Sequence, residues 1–141
     1  MTSEAPLVAG VPHVTVVAAV IEDNGRFLVT RRPAGVHLGG LWEFPGGKTA
    51  PAEDHLDGLR REILEELAVD VAVHELIHAT THQYEDRVVS LYFYRCTIEQ
   101  APSAALGQEM RWVDARELRM LEFPPADVEL IRKLTVGTRE A

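Results

Sequence analysis

The sequence predicts an α/β or α+β domain, a mixed sheet covered by helices, and three observations point there. β-branched apolar runs recur along the chain, two stretches carry apolar residues at helical spacing, and the two patterns alternate irregularly instead of in a regular βα repeat. The 141 residues are about the size of one domain, and 46% hydrophobic with 26% charged residues is the balance of a chain that buries a core. Residues 1–12, with Pro6, Gly10 and Pro12, read as a flexible arm, and residues 13–141 as a single domain.

Each element follows from local pattern. The run HVTVVAAVI (His13–Ile21) is β-branched and mostly apolar, Glu22-Asp23-Asn24-Gly25 is a turn signal, and RFLVTR (Arg26–Arg31) resumes the strand pattern, which predicts a hairpin. The Gly- and Pro-rich segment Pro33–Gly47 must turn sharply more than once around the apolar-aromatic piece Leu41–Phe44. From Pro51 to Leu67, Leu56, Leu59, Ile63 and Leu67 recur at intervals of three and four, which predicts a helix with one apolar stripe and Ala52–Asp54 as its first turn. Val69–Tyr84 and Arg87–Ile98 read as strands, the first broken near His74, with Glu85-Asp86 at the tip between them. Met110–Asp114 is a short strand and Ala115–Leu118 opens a brief helix. A last amphipathic helix begins near Pro124-Pro125 and carries Val128, Ile131 and Leu134.

Charge and composition exclude several functions. Lys and Arg total 14 against 22 Asp and Glu, a net charge of −8, so duplex phosphates would repel the chain unless it carried a local basic groove, which argues against a general nucleic-acid binder. An anionic ligand would need a cation to accompany it. The single cysteine, Cys96, excludes an intramolecular disulfide framework and a Cys-rich zinc site, and reads as a reduced, buried thiol. No apolar stretch approaches the roughly 20 residues that span a bilayer, and MTSEAPLVAGVP lacks the order of a secretory signal, so no membrane partner and a cytoplasmic location are expected.

The chemistry is concentrated on the central helix. Glu62, Glu65 and Glu66 stand at i, i+3 and i+4, on one face beside the apolar stripe. Three carboxylates on one face repel one another unless a divalent cation turns that repulsion into ligation. Hard cations such as Mg²⁺ and Mn²⁺ take oxygen ligands, and the neighbouring Gly46-Gly47 pair lets backbone approach a ligand closely. The competing reading is a solvated acidic face, with Arg61 pairing to Glu65.

The longer pattern decides between them. Gly46 to Val69, GGKTAPAEDHLDGLRREILEELAV, resembles the Nudix box G-x5-E-x7-R-E-U-x-E-E-x-G-U, with U aliphatic, at Gly47, Glu53, Arg61, Glu62, Ile63, Glu65, Glu66 and Val69. Ala68 replaces the final glycine. Thr30–Lys48, His82–Tyr94 and Leu121–Leu134 resemble the matching segments of MutT-type nucleoside triphosphate pyrophosphohydrolases, so the resemblance covers nearly the whole chain beyond residue 12. It implies a Nudix-type α/β/α sandwich with a central mixed sheet. It also implies a metal-dependent hydrolase in which Mg²⁺, or Mn²⁺, directs water onto a phosphorus, so that a nucleoside triphosphate becomes monophosphate plus pyrophosphate. An oxidised substrate such as 8-oxo-dGTP would make the activity a cleansing of the nucleotide pool that protects DNA.

Carried over position by position, Glu62, Glu65 and Glu66 would hold the metal with the Gly46 carbonyl, and Glu53 would orient the site through Arg61. Arg32 would contact substrate phosphate, where its planar fork suits the oxygens. His37, Leu38 and Phe44 would line the base pocket, with Asp127 at its edge; ordinary core packing explains Leu38 and Phe44 equally well. Two positions depart from the family. Asp127 stands where the oxidised-guanine branch has Asn, and an ionised Asp only accepts hydrogen bonds, which suits cytosine N4, so cytidine or 5-modified cytosine nucleotides are the alternative substrates. Leu106 stands where many relatives carry a glutamate, with Glu109 or Glu62 as its replacement, and a catalytically weak nucleotide-binding module of the same fold stays open. The chain would act as a monomer or homodimer. His74, His78 and His82, spaced by four, would align on a helix as a transition-metal site, but their Val, Ile and Thr neighbours make them polar strand positions, and His55 reads as a surface residue.

Overall fold

The computed structural model describes residues 10–36 and 39–136. The chain runs β1 (His13–Asp23), β2 (Arg26–Arg31), β3 (Trp42–Glu43), β4 (Gly46–Lys48), α1 (His55–Leu67), β5 (Ala72–Gln83), β6 (Val88–Thr97), β7 (Glu109–Asp114), α2 (Ala115–Met120), a 3₁₀ turn (Pro125–Asp127) and α3 (Val128–Thr135). The seven strands form a mixed sheet in the order β3-β2-β1-β6-β5, with β4 also paired to β1 and β7 to β2. β1 and β6 run parallel from His13 opposite Val88 to Ile21 opposite Cys96, while the other pairs are antiparallel. The hairpin turns at Asn24 and Gly25, both at positive φ, the backbone that a two-residue turn between twisted strands requires.

The period-two alternation of β1 sorts its side chains into two cores. Val17, Ala19 and Ile21 pack with Leu28 under Leu59, Ile63 and Leu67 of α1. Ala18 and Val20 pack with Phe27, Val29 and Phe93 under Leu118 of α2 and Leu130 of α3. Helices therefore cover both faces of the sheet, which is the expected α/β/α sandwich. Cys96 lies in the first core, and burial pushes its thiol up to about 12.

Several local expectations shift. α1 begins at His55 instead of at Ala52, because Ala52 sits at φ 67, outside the helical region, and the Asp54 carboxylate caps the helix by accepting the Asp57 N–H. Leu56 is exposed, and Gly58 is the buried residue of that turn, closing on Thr49 and Glu53. β5 starts at Ala72, with Val69 and Val71 buried ahead of it, and its pairing with β6 slips between Val73 and Leu76 and again before His78, which is the expected interruption. Among the apolar residues of α3, Val128 is exposed, Leu130 is fully buried, and Ile131 and Leu134 are half-buried.

Candidate active site

The site is assembled where β4 meets α1. Val17 stands opposite Gly47 and Ala18 opposite Gly46 in the β1–β4 pairing, and the Thr49 N–H donates to the Thr15 carbonyl at 3.0 Å, so the chain enters the helix from a fixed edge. Close approach demands both glycines. A Cβ on Gly46 would collide with the Val17 carbonyl, and one on Gly47 with the Glu62 carboxylate. Glu62 therefore rests directly on the β4 backbone.

Arg61 is the hub of the adjoining ion-pair network. Its Nε and Nη2 donate to the two oxygens of Glu53 at 2.9 and 3.0 Å, and its Nη1 to Glu62 at 3.0 Å and Glu65 at 3.4 Å. Nη2 also donates to the Lys48 carbonyl at 3.2 Å, tying α1 to β4. Glu53 accepts the Ala50 N–H at 2.7 Å as well. The Arg61 hydrogen bonds first, and the Ala50 N–H second, hold the Glu53 carboxyl down to about 2, and the same contact raises Arg61 above its ordinary value.

Glu66 has the opposite environment. Burial first, then the carboxylates of Glu43 and Glu62, push it up to about 8, although the Gly46 N–H donates to it and lowers it in part. Glu62 lies within hydrogen-bonding reach of Glu66. Glu65 is separate, its side chain 55% exposed and its ion-pair partner Arg61. Among the described residues no three His, Cys, Asp or Glu side chains close around one point, so the convergent pair is Glu62 and Glu66. The donors are all hard oxygens, and the repulsion that raises Glu66 is what a divalent cation would relieve. The residues fit such an ion.

Beside the carboxylates lies a cleft of about 170 Å³ that includes Gly46 and Gly47 and is walled by Arg32, Glu43, Phe44, Tyr84, Arg87 and Asp127. Arg32 pairs with Glu43 at 3.4 Å, and burial nevertheless raises the Glu43 carboxyl against the lowering effect of Arg32. Asp127 is only 3% exposed and makes no capping bond to α3; burial, then Glu43, push it up to about 7. Near neutrality it therefore alternates between an acceptor-only carboxylate and an acid that both donates and accepts, as Asn does. Burial, and then Asp127, raise the Tyr84 phenol that faces the same space. A second cleft of about 570 Å³ shares Arg32 and Glu43 and reaches Glu66, Leu106, Gln108 and Glu109.

The structure thus brings together Glu53, Arg61, Glu62, Glu66 and Gly46, and gathers Arg32, Phe44 and Asp127 around the adjoining cleft. His37 and Leu38 lie outside the described residues. Asp127, the last residue of the 3₁₀ turn, lines the cleft and is buried. Phe44 serves core and cleft at once, 6.0 Å from Phe93 and 5.4 Å from Phe123 between ring centroids. Leu106 is 69% exposed, and Glu109 is held by Arg31 at 3.3 Å and Arg111 at 3.7 Å. His74 bonds Thr97, His78 stacks near Phe93 and His82 near Tyr84, so the three histidines face different partners. His55 is half-buried, its Nδ1 2.8 Å from the Tyr94 hydroxyl and its ring 4.4 Å from that of Tyr92. The sequence reading missed Glu43, Tyr84 and Arg87. For Glu43 a signal existed: it is a carboxylate between two aromatics, Trp42 and Phe44, that are both buried.

Comparison with known proteins gives a consistent result. The sequence model of the NUDIX domain family matches residues 16–133. The chain is 33% identical over 119 residues to the CTP pyrophosphohydrolase of Escherichia coli, covering 84% of this chain and 88% of that one. It is 30% identical over 119 residues to the 8-oxo-dGTP diphosphatase of the same organism, covering 84% and 92%. Among solved structures, the solution structure of the E. coli ORF135 protein superposes with a TM-score of 0.80 at 31% identity, covering 97% of this chain and 99% of that one.

Proposed function

The chain belongs to the NUDIX domain family, and we propose that it is a pyrophosphohydrolase of oxidised or modified nucleoside triphosphates such as 8-oxo-dGTP, releasing monophosphate and pyrophosphate with Mg²⁺ or Mn²⁺. The observation that carries this reading is the juxtaposition of the Glu62–Glu66 pair on the Gly46-Gly47 backbone with the cleft walled by Asp127. In the family's pattern Glu62, Glu65, Glu66 and the Gly46 carbonyl would hold the cation, which, when bound, neutralises phosphate charge and lowers the pKa of a coordinated water. Arg61 keeps Glu62 against β4 and Glu53 keeps Arg61 in place. Arg32 offers its guanidinium to a phosphate from the rim shared by both clefts. The base enters beside Phe44 and is read at its edge by Asp127.

Asp127 also favours a second reading, cytidine or 5-modified cytosine nucleotides, because its ionised form accepts from an exocyclic amine. One experiment separates them: pyrophosphate release with Mg²⁺ and with Mn²⁺ across 8-oxo-dGTP, dGTP, dCTP, 5-substituted dCTP, a dinucleoside polyphosphate and ADP-ribose. The first reading expects the highest kcat/KM for 8-oxo-dGTP, and the second for a cytosine nucleotide. Absence of turnover across the panel, with nucleotide still bound by calorimetry, overturns both in favour of a binding module.

A further inference from the structure

The loop between β6 and β7 is bound to the last turn of α1. The Ser103 N–H donates to the Leu67 carbonyl at 2.9 Å and the Ala105 N–H to the Glu66 carbonyl at 3.0 Å. Gln108 Nε2 donates to that same Glu66 carbonyl at 3.0 Å, while Gln108 Oε1 accepts the Leu106 N–H, also at 3.0 Å. Carbonyls in the last turn of a helix lack partners within the helix, so the loop supplies the missing donors. Glu66 receives two of them. This end of the helix has particular need of an external tie, because Ala68 closes it at φ 58 and ψ 35, a left-handed conformation that strains an L-residue where the family pattern has glycine. Glu66 is consequently fixed at its backbone by the loop and at its carboxyl by the Gly46 N–H and Glu62.

We propose that Gln108 is a positioning residue, holding the Glu66 end of α1 so that the Glu66 carboxyl keeps its place beside Glu62 and the pair keeps its affinity for a divalent cation. The proposal rests on the reading of Glu62 and Glu66 as cation ligands. Gln108 touches neither carboxyl; it acts through the Glu66 peptide, and its own amide is oriented by the loop it closes.

The test is Mn²⁺ binding to the full chain without nucleotide, followed through the electron-paramagnetic signal of free Mn²⁺, with melting temperatures in parallel. Gln108→Met keeps the side-chain length and removes both hydrogen bonds, and Gln108→Glu keeps the acceptor for Leu106 while losing the donor to Glu66. Each is expected to weaken Mn²⁺ binding by about tenfold, the usual scale for an outer partner of a metal ligand. Gln108→Glu is the sharper variant, because an added carboxylate near a cation site should by simple attraction tighten binding; weaker binding then reports the lost donor. A purely structural role would lower the melting temperature and leave the dissociation constant of the folded protein unchanged, which overturns the proposal, as does tighter binding by Gln108→Glu. If Gln108→Met fails to fold, Gln108→Glu decides alone. Mn²⁺ binding by the wild type that Glu66→Gln abolishes and both Gln108 variants leave intact overturns the positioning role while the cation reading stands. Absence of binding by the wild type overturns both.

Discussion

The carboxylates on either side of Arg61, Glu53 in the loop before α1 and Glu66 near the helix's end, are built on opposite electrostatic principles. At the Glu53 end, Arg61 meets carboxylates with hydrogen bonds in fork geometry, and Glu53 is held down to about 2. At the Glu66 end, Arg32 pairs with Glu43 and Arg61 with Glu62, yet Glu66 and Asp127 are pushed up to about 8 and about 7, by burial first and with Glu43 acting on both. The first end is a finished scaffold whose half-buried ion pairs fix geometry. The second holds repulsion that a bound cation and a base edge would relieve. Buried, crowded carboxylates of this kind are a common arrangement where acidic groups are tuned for function.

The sharpest way to break the contrast is Glu66→Gln. A ligand to a phosphate-bound cation contributes several kcal/mol to the barrier, so divalent-dependent turnover is expected to fall by about 10³-fold. The melting temperature should stay level or rise, since a crowded buried carboxyl is replaced by a neutral amide. Unchanged turnover would remove Glu66 from the metal site.

Arg61→Lys attacks the finished end. A lysine cannot span both Glu53 oxygens and Glu62, so kcat should fall by about tenfold, with KM changed less. Measured in the Glu53→Gln background, the same substitution should have a much smaller effect; an equal effect would mean that Glu53 does not act through Arg61.

Asp127→Asn sharpens the comparison at the cleft. The ratio of kcat/KM for 8-oxo-dGTP over a cytosine nucleotide is expected to rise by about tenfold, and a fixed ratio would show that Asp127 does not read the base. The same variant has a pH signature. Between pH 3.8 and about 7 the unfolded chain has lost the Asp127 proton and the folded chain has kept it, so this residue's contribution to stability falls as pH rises through that window. The slope is at most about 1.4 kcal/mol per pH unit, and denaturant midpoints for Asp127→Asn should fall less across it. Glu53 acts in the opposite sense, its contribution being present above 4.5 and lost as pH falls toward about 2.

The smallest expected effect is at Ala68. Glycine there removes left-handed strain and should stabilise the fold by about 0.5–1 kcal/mol in chemical denaturation. A loss of stability would mean that the β6–β7 loop had already absorbed the strain.

Much of this was legible in local pattern. The Asn24-Gly25 turn, the alternation of β1 and the Glu62, Glu65, Glu66 spacing each depend on residues a few positions apart, and backbone geometry fixes their outcome wherever the segment lands. The start of α1 is not legible in periodicity, because the capping Asp54 and the positive φ at Ala52 are properties of the loop that precedes the helix. Leu56 and Val128 lie on the apolar stripes that periodicity predicts and are nevertheless exposed: periodicity gives a face, whereas the packing partner decides how much of it is covered.

The sequence by itself determined the fold class, the acidic face of α1, the glycine pair that must meet it and the family pattern joining them. Only the tertiary structure decided that Glu62 and Glu66 converge, that Asp127, 61 residues further along the chain than Glu66, is buried, and that Glu43 couples the two. The reason is physical. Spacing along a helix is set by covalent geometry over one or two turns, but desolvation and charge coupling depend on which distant strands and loops close over a group, and those distances exist only once the sheet has formed.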